Sequence, residues 1–283
     1  MVVYDLIEIN KIYLGDNLKI IRKCPNNSIN LIYLDPPFFT QSKRKLKQYS
    51  YDDKWDSLKD YLMFMNLRLK ELYRVLNSTG SFYLHCNYRA SHYLKMLCDK
   101  IFGYNNFRNE IVWHYRSWTT SNKIFQKMHD NILFYTKSKD YTFNIPYEPY
   151  ITKGRSKYLK MSKKGGGIKP NKSKLRKDYF GDEIKMHDVW DIPIIVSNEK
   201  ERLGYPTQKP EKLLNIIVNA SSNEGDIILD SFCGSGTTCV SAAKLNRKFI
   251  GIDSNPDAVK LTKERLKMPV IYNKIKNDVM GLF

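Results

Sequence analysis

Apolar positions in the first half of the chain alternate between short runs and a recurrence at three and four residues. Ile29, Leu31, Ile32 and Leu34 form a run that halts at Asp35-Pro36-Pro37-Phe38. The pattern predicts a buried strand over 29–35 that stops at its carboxyl end, since neither proline can donate to a ladder. Before it, a weak alternation over 6–14 ends at Gly15-Asp16, with Asp16 suited to cap a helix to about residue 22. After it, Leu58, Tyr61, Leu62, Met65, Leu69, Leu72 and Leu76 predict an amphipathic helix over 57–76, capped by Ser57. A strand over 81–85 follows, then a helix over 89–102 ended by Gly103, then strands over 110–115 and 131–136. His85, at a strand end, reads as a packing residue. Strand and helix in repeated alternation predict a mostly parallel sheet covered on both faces.

Two regions break this rhythm. Between Phe39 and Trp55 the chain has no steady period, and Lys43, Arg44, Lys45, Lys47 and Lys54 are interleaved with Tyr49 and Tyr51. That composition predicts a mobile basic loop beside Asp35, fit for phosphates and stacked bases. From 137 to 185 basic residues dominate, Arg155, Lys157, Lys163 and Lys164 among them, with Gly165-Gly166-Gly167 in the middle and tyrosines throughout. An inserted basic subdomain is the reading. Near the end the rhythm returns. Asp226 to Asp230 is an apolar strand, Phe232-Cys233-Gly234-Ser235-Gly236 a glycine turn, and a helix begins near Thr237. Phe249 to Asp253 is a second strand that ends in an acid.

Composition sharpens the picture. With 47 basic against 29 acidic residues in 283, the formal charge is +18, which predicts an anionic partner, most often nucleic acid. The chain is long enough for one large domain or two small ones. Its first residues alternate apolar and polar types and include Asp5 and Glu8, so no signal peptide is expected. No apolar stretch approaches a membrane span. The five cysteines are scattered without a Cys-x-x-Cys pair, which predicts reduced packing thiols of a cytoplasmic protein and no metal site.

The chemistry resides in the two strand ends. An exocyclic amine has two hydrogens to give, and the Asp35 carboxylate and the Pro36 carbonyl offer one acceptor each, with Phe38 as a flat face for a base. In the second stretch the glycines let backbone approach a ligand at a helix N-terminus. No lysine follows the last glycine, which disfavours a triphosphate loop, and the three spaced glycines of a dinucleotide site are missing. Asp253, about twenty residues on, can accept both hydroxyls of a ribose. The pair predicts a nucleoside-bearing cofactor without pyrophosphate.

Asp35-Pro36-Pro37-Phe38 and Phe232-Cys233-Gly234-Ser235-Gly236 resemble the catalytic and S-adenosylmethionine motifs of the amino-methylating DNA methyltransferases. Tyr205-Pro206-Thr207-Gln208-Lys209-Pro210 is similar to the motif that precedes the cofactor strand in that family. Catalytic motif first, basic insertion second and cofactor motif last is the order of its permuted beta group. Phe38 stands where many relatives have Tyr, and Ser231 where many have Pro. The resemblance implies an α/β fold, a doubly wound seven-stranded mostly parallel sheet with a reversed last pair. It implies a catalytic half over 1–136, a basic target-recognition insertion over 137–200, and the cofactor half of the same domain over 201–283.

By the same resemblance Asp35, Pro36, Pro37 and Phe38 are catalytic. Asp16, Asp35, Thr207, Lys209, Asp230, Phe232, Gly234, Gly236, Thr237 and Asp253 hold the cofactor. Double-stranded DNA is the expected partner, contacted by Lys43, Arg44, Lys45, Lys47, Tyr49, Arg155, Lys157, Lys163 and Lys164; a homodimer and a cognate restriction endonuclease are further candidates. The expected reaction methylates the N6 amine of a flipped adenine, since many cytosine-N4 relatives carry Ser in place of Asp35. Cytosine N4, an RNA substrate, and a non-catalytic DNA-binding subunit remain as alternatives.

Overall fold

The computed structural model describes residues 7–46, 49–117, 122–149, 183–196 and 199–268. Along the chain the elements are β1 (Lys11–Leu14), α1 (Asn17–Ile21), β2 (Ile29–Leu34), β3 (Ser42–Leu46), β4 (Tyr49–Asp53), α2 (Leu58–Val75), β5 (Leu76–Cys86), α3 (Ser91–Phe102), β6 (Phe107–His114) and β7 (His129–Thr136). They continue as β8 (Tyr147–Pro149), β9 (Glu183–Lys185), β10 (Val189–Asp191), α4 (Glu211–Ser221), β11 (Ile227–Asp230), α5 (Thr237–Lys244), β12 (Lys248–Asp253) and α6 (Pro256–Arg265).

The main sheet runs β1-β12-β11-β2-β5-β7-β6-β10 among the described residues. It contains eight strands where the family resemblance implies seven, because β10 adds a parallel edge strand beside β6. The reversal falls on one strand, β7, which lies antiparallel between β5 and β6. Residues 189–191 therefore belong to the main sheet, although they fall within the stretch read as an insertion. The permutation has a direct consequence here. β11 pairs in parallel with β2, Ile228 opposite Leu31 and Leu229 opposite Ile32, although about two hundred residues separate them. Both strands thus deliver their carboxyl ends, Asp230 and Asp35, to one edge.

β2 is apolar on both faces because both are covered. Ile32 and Leu34 pack with α1, α2 and α3, whereas Leu31 and Tyr33 pack with α4 and α5. α2 forms where its three-and-four recurrence predicts. The Ser57 hydroxyl accepts from the Asp60 N–H at 3.1 Å, and Tyr61, Met65, Leu69, Leu72 and Val75 are wholly buried. Truncating one of these leucines to alanine costs about 2–5 kcal/mol in such a core. α4, unplaced by the sequence reading, buries Leu213, Leu214, Ile217 and Val218 on the opposite face.

Residues expected to form an irregular loop after Phe39 instead form an antiparallel hairpin, β3 with β4. Its strands, mostly charged, seryl and tyrosyl residues with Leu46 alone apolar, show no apolar alternation, and no Asn-Gly pair lies between them in the sequence, so neither hairpin signal is present. All five cysteines are free and buried, and burial pushes the Cys24 thiol up to about 11. Among the described residues no helix is long and apolar enough to cross a membrane.

Candidate active site

A cleft of about 870 Å³ opens at the carboxyl edge of the sheet, where β2, β5 and β11 end. Asp35, Pro36, Pro37 and Phe38 form one wall. Asp230, Phe232, Gly234, Thr237 and Asp253 form another, and Thr207 and Lys209 lie between the two. The stretches predicted to meet are therefore in one cavity.

The chain beyond Asp35 is held by a residue the sequence reading did not single out. Asp53, at the end of β4 and 1% exposed, accepts from the backbone N–H of Phe38 at 3.0 Å, Phe39 at 3.1 Å and Thr40 at 2.7 Å. It also takes the Thr40 hydroxyl at 2.7 Å and the Trp55 indole N–H at 3.0 Å. Phe39 and Gln41 have φ of 57° and 56°, left-handed values that cost a non-glycine residue on the order of 1 kcal/mol each. The bonds to Asp53 offset that cost. The Tyr61 hydroxyl, reaching up from α2, donates to the Pro37 carbonyl at 2.8 Å.

Asp35 is mostly buried. One oxygen, Oδ2, accepts from the Lys209 ammonium, and the other, Oδ1, is buried without a hydrogen-bond partner among the described residues. His85 Nδ1 lies 3.5 Å from Oδ1 but is hydrogen-bonded to the Tyr33 hydroxyl at 2.9 Å. His85 Nε2 is 3.4 Å from Asp130 Oδ2, and the imidazole packs 5.2 Å from the Phe38 ring and 5.4 Å from Trp113. Burial works against the Asp130 charge, but the hydrogen bond and charge of His85, with Lys209, outweigh it and hold that carboxyl below its ordinary value. His85 is wholly buried, as a packing residue is, yet it also forms the wall behind Asp35. Neither it nor Asp130 carries a local signal; β5 and β7 bring them together by placing His85 opposite Ile132.

On the other wall the glycine turn is tied to its own strand. Asp230 Oδ1 accepts from the Phe232 N–H at 3.1 Å and Oδ2 from the Thr238 hydroxyl at 2.5 Å, and burial pushes its carboxyl up to about 7. Asp253 accepts from the N–H of Gly234 and of Asn255, both at 2.8 Å, and burial raises its carboxyl as well. The Thr237 hydroxyl donates to the Lys209 carbonyl at 3.1 Å, which ties the Thr207-to-Lys209 segment to the turn.

Two residues read as cofactor contacts do not line the cleft. Asp16 caps α1 and bonds Arg68 at 2.9 Å; Arg68 lies 3.4 Å over the Phe64 ring, so Asp16 reaches the cavity only through that stack. Gly236 faces α6 instead. Its φ is +76°, and a Cβ there would stand 2.3 Å from Thr262 Cγ2, so this glycine serves close helix packing. Of the residues read as DNA contacts, Lys43, Arg44, Lys45 and Tyr49 lie on the β3–β4 hairpin. Lys47, Arg155, Lys157, Lys163 and Lys164 lie outside the described residues.

A family model described as DNA methylase matches residues 29–264. The chain is 32% identical over 250 residues to the type II methyltransferase M.HpaI of Haemophilus parainfluenzae, covering 88% of this chain and 71% of that one. It is 31% identical over 263 residues to the DNA adenine methyltransferase YhdJ of Escherichia coli (strain K12), covering 92% and 83%. Among solved structures, the cytosine-N4-specific PvuII DNA methyltransferase superposes with a TM-score of 0.64 at 18% identity, over 95% of this chain and 89% of that one. The M1.HpyAVI–SAM complex superposes with a TM-score of 0.58 at 23% identity, over 91% and 99%. Both structural likenesses are likenesses of fold.

Proposed function

The chain belongs to the DNA methylase family, and on that premise we propose that it transfers a methyl group from S-adenosylmethionine to the N6 amine of an adenine turned out of duplex DNA. The observation that carries the reading is the buried, donorless Oδ1 of Asp35 in the same cleft as the glycine turn. A buried acceptor without a donor is costly, and an incoming amine N–H relieves it.

The second wall fits the cofactor. Gly234, with φ of +51°, brings backbone to the cleft where a Cβ would press on the Tyr205 ring at 3.3 Å. The carboxylate oxygens of Asp253, each already accepting one N–H, retain lone pairs for the hydroxyls of a ribose, and Phe232 offers an aromatic face. When bound, S-adenosylmethionine supplies an electrophilic methyl group on a sulfonium. The protein's part is positioning. Phe38 stacks on the base, Asp35 Oδ1 and the Pro36 carbonyl accept the two amine hydrogens, and the nitrogen lone pair is thereby turned out of the ring system. Lys209 and His85 hold the carboxylate in place while this happens.

Adenine is favoured by Asp35 at the head of its motif and by the likeness to YhdJ, named as a DNA adenine methyltransferase. The formal charge of +18 favours a phosphate backbone, so binding weakens steeply with salt. The same reading includes a cytoplasmic setting, a homodimer and a cognate restriction endonuclease, the last because relatives such as M.HpaI are described as type II methyltransferases. Purified protein is incubated with labelled cofactor and unmodified genomic DNA, then nucleosides are resolved by mass spectrometry. N6-methyladenine is expected; N4-methylcytosine overturns the base assignment, and absence of transfer overturns the reaction.

A further inference from the structure

Phe125 is 98% exposed and its neighbour Ile124 56% exposed, on the connection between β6 and β7. A ring so placed forgoes nearly all the burial free energy it could gain, and two such residues in sequence mark an interaction site more often than a chance. Their surroundings say what kind. β6 runs parallel to β2, so this connection leaves the sheet at the edge where Asp35 stands. Ser117 and Lys127 of the same connection, with His129 and Asp130 at the start of β7, line the cleft. Residues 116–128 contain Arg116, Lys123 and Lys127 and no acid. Lys127 lies 4.0 Å over the ring of Tyr88, itself half exposed on the rim, so cation and aromatic surface alternate up to the mouth of the cleft.

An apolar tip flanked by cations and set beside a base-sized cleft suits one occupant, a stacked step of duplex DNA. Turning a base outward leaves a gap in the stack and two unstacked neighbours. Phe38 inside the cleft receives the base, and nothing in the cleft compensates the duplex for its loss. We propose that Phe125, supported by Ile124, inserts into the duplex where the target nucleotide leaves and takes over the stacking it vacates, while Lys123 and Lys127 meet the adjoining phosphates. Apolar side chains act as wedges between base steps in this way in other DNA-binding folds. The inference rests on the methyltransferase reading and adds to it the surface that opens the duplex.

The test uses the full chain and two oligonucleotide duplexes with the same target site, one fully paired and one with an abasic site opposite the target base, which is therefore already unpaired. Wild type, Phe125→Ala and Phe125→Leu are compared for kcat/KM of labelled-methyl transfer and for cofactor affinity. Phe125→Ala loses on the order of tenfold or more on the paired duplex, the value of one stacked base. On the abasic duplex it stays within about twofold of wild type, with cofactor affinity unchanged, because the opening has been done in advance. Phe125→Leu recovers part of the loss. Equal losses on both duplexes, or no loss on the paired one, overturn the wedge. So does a change in oligomeric state of Phe125→Ala with transfer intact, which assigns the residue to a contact between copies. A wild-type protein inactive on both duplexes refutes the methyltransferase reading instead.

Discussion

Replacing Asp35 by asparagine removes one acceptor from a carboxylate that needs two. In the structure Oδ2 is committed to the Lys209 ammonium and Oδ1 faces the cleft without a donor. An amide has one oxygen, and the lysine, 13% exposed, takes it. The NH2 group then points at the site of the target amine, donor against donor. A hydrogen bond to a charged group is worth about 1.5–3 kcal/mol, so its loss alone slows transfer by about 10- to 150-fold, and the donor clash adds to that. Asp35→Ala removes both acceptors and leaves the lysine as an unpaired, mostly buried charge, which costs stability by about 3–5 kcal/mol; adding Lys209→Met restores much of the stability and none of the transfer. The assay is single-turnover transfer of labelled methyl to duplex DNA, with cofactor affinity by calorimetry and thermal melting alongside. Cofactor affinity stays within about threefold, since the turn at 230–237 is tied to its own strand. Turnover of Asp35→Asn within threefold of wild type refutes the reasoning.

Other substitutions test separate parts of the account. His85→Gln removes the ring behind Asp35 and Phe38; transfer falls about tenfold with cofactor affinity unchanged, and a loss confined to melting temperature assigns His85 to packing alone. Burial raises the Asp230 carboxyl from 3.8 to about 7, so its contribution to stability is complete below the lower value and is lost progressively as pH rises through the higher one. In Asp230→Asn the amide donates to Thr238 and still accepts from Phe232, and urea melts at pH 5 and pH 8 move less than those of wild type, which loses about 3 kcal/mol at most across that range; an unchanged pH dependence contradicts this. Gly236→Ala places a Cβ 2.3 Å from Thr262 at a left-handed φ and destabilises by about 2–4 kcal/mol, read as a lowered melting temperature, while unaltered melting counts against the packing role given to this glycine.

The local pattern was enough for much of this protein. The apolar run before Asp35, the stripe from Leu58 to Leu76 and the glycine turn after Asp230 each encode their element within one short stretch of chain, because strand and helix periods are properties of neighbouring side chains. The order of the motifs, with the family resemblance, also anticipated that Asp35 and Asp230 share an edge. The β3–β4 hairpin was missed because its strands are charged and its turn carries no glycine signal, and β10 because three residues are too few to show a period.

What only the tertiary structure decided is which groups touch. The pairing of Lys209 with Asp35 spans 174 positions, that of Arg68 with Asp16 spans 52, and the approach of His85 to Asp130 spans 45. No local signal marks such pairs, since a side chain's type and neighbours are the same whether or not a distant strand delivers its partner. The unsatisfied oxygen of Asp35, the five bonds converging on Asp53 and the diversion of Gly236 to α6 all arise from that delivery. Sequence alone determined the two chemistries this chain carries; the parallel pairing of β2 with β11, and the packing around it, decided that they face each other across one cleft.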